Sequence, residues 1–182
     1  MTSLTALLRA TAIAAVFCTP CLSVAQQASK VAKELFFQSM VGEWRSEGVL
    51  KGADGQPVPI KQEWKGQFSG DGEFVIEGTR AVNEAPAEKY RWTFTHNATT
   101  DLFEGVMTNP EDVKNAIRFE GNVSASPLSI ELRAQLGAGA GSMVIVQSFS
   151  SDRVSLDSKV TLLSDSGAVN LEGVLTHHRV KP

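Results

Sequence analysis

Ile60-Lys61-Gln62-Glu63-Trp64-Lys65-Gly66-Gln67-Phe68 runs into Ser69-Gly70-Asp71-Gly72 and on into Glu73-Phe74-Val75-Ile76-Glu77. In the first run Ile60, Trp64 and Phe68 alternate with Lys61, Glu63, Lys65 and Gln67. Successive side chains of an extended chain point to opposite faces, so this period of two reads as a strand with one buried and one wet face. The Gly-rich tetrapeptide that follows reads as a compact hairpin turn, because glycine tolerates positive φ at little steric cost.

Working outward, the same pattern repeats. The alternating runs are Glu43–Lys51, Val58–Phe68, Glu73–Ala81, Glu88–Asn97, Leu102–Thr108, Asn115–Ser124, Leu128–Leu136, Ser142–Ser150, Arg153–Leu163 and Val169–Val180. Clusters of Gly, Pro, Asp and Asn separate them, which is the signature of an all-β sandwich or barrel. Short connections favour an up-and-down meander. A flat sheet of that many strands would leave two unpaired edges, and closure removes them. The expected fold is therefore an up-and-down antiparallel β-barrel of about ten strands. One short helix precedes it, Ser29–Met40, with Val31, Ala32, Leu35, Phe36 and Met40 near one face and Lys30, Lys33 and Gln38 largely off it.

The amino terminus reads as a secretory signal over residues 1–25. Arg9 supplies the positive region, Thr11–Phe17 the apolar region, and Ser23-Val24-Ala25 a cleavage site of small residues. The apolar run is too short for a membrane span, which takes about 20 residues. Residues 26–39 are then linker and helix, and 40–182 the barrel domain. Both cysteines, Cys18 and Cys21, fall in the signal. The mature domain would lack a disulfide, which suits a periplasmic or secreted bacterial protein. The chain's formal charge of -3 argues against nucleic acid as a partner, since phosphates call for a basic face.

Met40-Val41-Gly42-Glu43-Trp44, with Gly48 beyond, opens the first strand directly after the helix. This Gly-x-Trp after a short helix resembles the calycin superfamily of lipocalin-like barrels. The pattern Val41-Gly42-x-Trp44-x-x-x-Gly48 is similar to two relatives, the ten-stranded nitrobindin-like haem barrels and the bacterial barrels called domain of unknown function 1579. The order Trp64, Gly72, Phe74, Glu77-Gly78 and the block Tyr90-Arg91-Trp92 with Asp101 and Phe103 also fit the second family. The resemblance implies that Gly42, Trp44 and Arg179 close the barrel, with the guanidinium of Arg179 packed across the indole of Trp44. Such a cation–π contact is worth about 0.5–2 kcal/mol. A solvated carboxy-terminal charge is the plainer reading of Arg179.

Tyr90, Trp92, Phe94 and His96 share one strand face. With Trp64 and Phe119 they are the candidate lining of a cavity for a small apolar or amphipathic molecule, since pockets are mostly apolar with a few placed polar groups. The alternative is an aromatic core layer with His96 at the rim. His177 and His178 lie on the last strand, and alternation places His177 with Leu171, Gly173, Leu175 and Arg179. The nitrobindin resemblance makes His177 a candidate axial ligand for haem; otherwise no cofactor is expected. No His or Cys spacing indicates a metal site. Gly137–Gly141 reads as a hairpin loop, because a strand pattern follows it where a phosphate loop needs a helix. No constellation supports acid–base or nucleophilic catalysis, which leaves a non-enzymatic binding module, a haem barrel or a filled structural domain.

Overall fold

Each alternating run forms a strand in the computed structural model, which describes residues 20–180, with side chains from Ser29 to Val180. The strands are β1 (Gly42–Gly52), β2 (Pro57–Phe68), β3 (Phe74–Val82), β4 (Glu88–Asn97), β5 (Leu102–Asn109), β6 (Asp112–Ala125), β7 (Leu128–Gln135), β8 (Ser142–Phe149), β9 (Ser155–Leu163) and β10 (Val169–Arg179). Each pairs antiparallel with the next, and β1 pairs with β10, so the sheet closes into a barrel with no free edge. The largest difference from the expected boundaries is at β6, which begins at Asp112 rather than Asn115 because Asp112 still pairs with Asn109 across the turn. In the β2–β3 hairpin, the Ser69 amide donates to the Glu73 carbonyl at 2.8 Å and Gly72 takes φ +79°, a conformation that favours glycine.

The helix is longer than its expected span. It runs over Pro20–Met40 as α1, and proline is tolerated in a first turn, where amides lack intrahelical partners. The signal reading over residues 1–19 lies outside the described residues, and Pro20–Ala25 are helical.

The buried face of α1 also differs. Val31 is 57% exposed and Leu35 38%, whereas Ala32, Lys33, Phe36, Phe37 and Met40 are buried. Positions 33, 36, 37 and 40 form an i, i+3, i+4, i+7 stripe. That rotation brings both phenylalanines inward, and a face through Val31 and Leu35 would turn Phe37 out to water.

These side chains plug one end of the barrel. Phe36 packs on Phe149 with centroids 5.3 Å apart, and Phe37 meets Phe103 at 4.6 Å, Phe74 at 5.1 Å and Phe94 at 5.5 Å. Such pairs contribute about 0.5–1.5 kcal/mol each beyond their burial. The last turn of α1 lies directly on the wall: a Cβ on Gly66 would stand 2.5 Å from the Met40 carbonyl oxygen, so β2 needs glycine there.

The apolar interior divides in two. A large cluster under the helix contains Trp44, Trp64, Trp92, Phe94 and Phe119. A smaller one at the other end holds Leu50, Ile60 and Leu175.

Candidate ligand cavity

The closed end is built from Trp44 outward. Trp44 is 1% exposed and lies 5.3 Å from Trp64, the rings nearly parallel. Its indole N–H donates to the Met40 carbonyl at 3.0 Å. Arg179 stands directly opposite on β10, its guanidinium carbon 4.6 Å from the Trp44 ring centroid. The same guanidinium donates to the Val41 carbonyl at 2.5 Å and the Ser39 carbonyl at 2.6 Å. The last carbonyls of a helix have no intrahelical donor and carry partial negative charge, so a cation there is favourable. Gly42 takes φ +119°, and a Cβ on it would come within 3.0 Å of Arg179 Nη1. The three residues that the calycin resemblance singled out therefore meet at one point.

Above this floor, between the two apolar clusters, lies a cavity of about 230 Å3. Its wall includes Trp64, Ile76, Trp92 and Ile145 from the large cluster and Leu50, Ile60 and Leu175 from the small one. It reaches the end opposite the helix, where Val58, Val82, Tyr90 and Leu171 are partly exposed. Five polar or charged side chains interrupt the apolar wall: Gln62, Arg80, Gln147, Ser158 and His177.

Three of these, with Trp64, form a hydrogen-bonded relay. Trp64 Nε1 donates to His177 Nδ1 at 3.0 Å, Ser158 Oγ lies 2.9 Å from His177 Nε2, and Gln147 Nε2 donates to Ser158 Oγ at 3.1 Å. An indole N–H can only donate, so Nδ1 accepts and the neutral ring carries its proton on Nε2, which donates to Ser158. His177 is 3% exposed. Its pKa is lowered to about 4, chiefly because burial disfavours the imidazolium; Asp157 opposes this and His178 adds to it. Burial likewise raises the Tyr90 phenol, against the pull of the Arg80 guanidinium, so Tyr90 keeps its O–H.

Other atoms on the wall have no partner. Arg80 Nε, Trp92 Nε1 and Gln147 Oε1 are buried and make no hydrogen bond. Buried polar groups are paired in the great majority of cases, so three orphans on residues of one cavity wall point to a guest or to water.

The structure sorts the candidate residues. Trp64, Tyr90 and Trp92 line the cavity, as does His177. Phe94 and Phe119 do not; they pack beside Trp92 at 5.4 Å and 5.2 Å in the solid layer under the helix. His96 is not on the interior wall either. Its side chain is 39% exposed and its Nε2 lies 3.0 Å from Asp101 Oδ1. Lys33, expected off the apolar face of the helix, is buried against the same carboxylate, which ties α1 to the β4–β5 turn. These residues border an open cleft of about 800 Å3 on the outside of the barrel. There the Lys33 ammonium, then the His96 ring, hold the Asp101 carboxyl below its usual pKa. His178 is exposed.

The sequence reading missed Gln62, Arg80, Gln147 and Ser158. A signal for them exists, since each is a polar residue in step with apolar neighbours: Arg80 with Ile76 and Val82, Gln147 with Ile145 and Phe149.

Haem does not fit this wall. Both ring nitrogens of His177 are spent on Trp64 and Ser158, so neither is free to ligate iron. The space of about 230 Å3 also falls below the roughly 300–1,000 Å3 of pockets for drug-sized ligands, and a tetrapyrrole is larger than those. Among the described residues no group of His, Cys, Asp and Glu is arranged to hold a metal ion.

A closed ten-stranded meander, plugged by a helix over Gly-x-Trp and hollow beyond it, is a calycin-like barrel. Comparison with known structures finds the same fold. The barrel is similar to the S-type phycobiliprotein lyase CPES from Guillardia theta, with TM-score 0.64 and 10% identity over 85% of this chain and 98% of that one. It is also similar to Rv2717c from M. tuberculosis, with TM-score 0.61 and 14% identity over 82% and 98% of the two chains. No protein-family model and no curated protein matches the sequence. At these identities the likeness is one of fold, and function has to be argued from the site.

Proposed function

We propose that this protein is an exported, non-enzymatic binding barrel that holds one small amphipathic molecule in its interior. One observation carries the reading: the cavity wall is largely apolar, yet three of its residues, Arg80, Trp92 and Gln147, each hold a buried polar atom without a partner. Side chains that merely filled a core would leave neither the space nor the orphans. The volume matches about eight waters at roughly 30 Å3 each, enough for a substituted single ring or a short chain. The Guillardia theta neighbour is a phycobiliprotein lyase, which suits a barrel scaffold that handles a small molecule. The motif order Trp64, Gly72, Phe74, Gly78 supports closer kinship with the barrels of domain of unknown function 1579.

Export rests on Arg9, the apolar run after it and Ser23-Val24-Ala25. Cleavage after Ala25 would spare every helix side chain in the plug, from Ala32 to Met40. Sequencing the amino terminus of the processed protein tests this, and a start well before Gln26 refutes it.

Native mass spectrometry tests binding. The purified chain is exposed to a panel of carboxylates, alcohols and amines of phenylacetate size. One-to-one complexes are expected, and they should vanish in Val160→Trp, which fills the cavity from β9. Absence of any complex, or complexes that persist in that variant, refutes the reading.

A further inference from the structure

Among the described residues Arg80 is a charge without a counter-charge. It sits on β3 in the inward series Phe74, Ile76, Gly78, Arg80, Val82. Its direct neighbours across the sheet are Gln62 on β2 and Glu88 on β4. Glu88 is exposed at the end of its strand, and no ion pair joins it to Arg80. The cavity wall contains no aspartate or glutamate, and its histidine is engaged on both nitrogens. Among the described residues Arg80 is thus the only ionised side chain on the wall, and its Nε is buried without an acceptor. Arg80 is half-buried, and an anion bound in the cavity would supply its Nε with the acceptor it lacks.

Around it the wall offers neutral donors, together with the amides of Gln62 and Gln147, which can both donate and accept. Trp92 lines the cavity, and its indole N–H is buried without a partner. The Tyr90 hydroxyl lies on the adjoining strand, where Tyr90 pairs with Gly78, two residues from Arg80. A cavity with one cation, further donors and no acid selects for a negative ligand. The planar fork of arginine matches a carboxylate in two parallel hydrogen bonds. The flat rings of Trp64 and Trp92 and the aliphatic wall suit an apolar body.

We propose that the occupant is a small monocarboxylate, its acid group against Arg80 and Tyr90 and its apolar body between the tryptophans. This rests on the binding reading above and names the class of ligand.

The test compares three probes with one skeleton on the full chain by isothermal titration calorimetry: phenylacetate, 2-phenylethanol and phenethylamine. Phenylacetate should bind about 10- to 100-fold tighter than the alcohol, the span of a hydrogen bond to a charged group, and the amine should not bind. Arg80→Met should abolish the preference while alcohol binding persists, which also shows that the cavity is intact. Arg80→Lys should retain part of the preference. Equal affinity for acid and alcohol in the unaltered protein overturns the inference and leaves the binding reading standing. So does a preference that survives Arg80→Met. Failure of all three probes to bind the unaltered protein overturns both.

Discussion

Acidification should destabilise this barrel through one buried ring. In the unfolded chain His177 titrates near 6.5, whereas in the folded protein burial lowers it to about 4. Between those values the unfolded state binds more protons, so stability rises with pH across the window and drains away as pH falls through it. Above about pH 7.5 the ring is almost wholly neutral in both states and contributes little slope. The full displacement corresponds to about 3 kcal/mol, of which about 2.5 kcal/mol is lost between about pH 7.5 and 4.5. For a domain of this size that lowers Tm by roughly 5–10 °C. Carboxylates titrate in the same range, so the measurement is a difference: thermal and urea unfolding of the unaltered protein and of His177→Gln, each at both pH values. The glutamine variant should start less stable and lose less on acidification, by about 2.5 kcal/mol. Parallel losses in the two proteins would refute a neutral, buried His177.

Arg179→Ala should remove the contact on Trp44 and both carbonyl bonds at the end of α1, lowering stability by about 1.5–3 kcal/mol in urea unfolding. Arg179→Lys should recover only part, because an ammonium cannot span both carbonyls over the ring. Gly78→Ala should cost about 1–3 kcal/mol by the same assay, since the added methyl meets the Glu63 carbonyl and lies 2.6 Å from Trp64 Cβ. Asp101→Ala should destabilise more than Lys33→Met, because the first leaves a buried ammonium without its counter-charge, held only by the carbonyl of residue 101, and the second replaces it with an apolar chain of similar length; urea midpoints of the two variants decide.

Period-two alternation makes all ten strands legible, because a closed sheet has one wet face and one dry one and the pattern marks which residues go where. Gly42, Trp44 and Arg179 are legible only through family resemblance, since nothing local says that a residue near each chain end meets the other. The helix face is misread because Lys33 looks polar in sequence, and its burial depends on Asp101, far along the chain in a β-turn. The interior fails differently. Alternation puts aromatic residues on the inner face, but inward-facing does not mean cavity-facing. The two aromatics packed under the helix, Phe94 and Phe119, are solid core, and the hollow begins only where glutamine, serine, arginine and histidine replace apolar side chains on that face.

Those substitutions bear on chemistry as well as volume. Ser158 and His177 stand 2.9 Å apart, the separation of a nucleophile and its base. In an acyl-transfer dyad the imidazole must accept the serine proton, and a carboxylate on its other nitrogen fixes that tautomer and stabilises the imidazolium. Here the other nitrogen faces Trp64, a donor that never accepts. It drives the imidazole proton onto the nitrogen facing Ser158, and burial opposes the imidazolium that proton uptake would create. Ser158 therefore receives a hydrogen bond from the ring and is not deprotonated by it. The relay works as an uncharged strut in the cavity wall, joining β2, β8, β9 and β10 through Trp64, Gln147, Ser158 and His177.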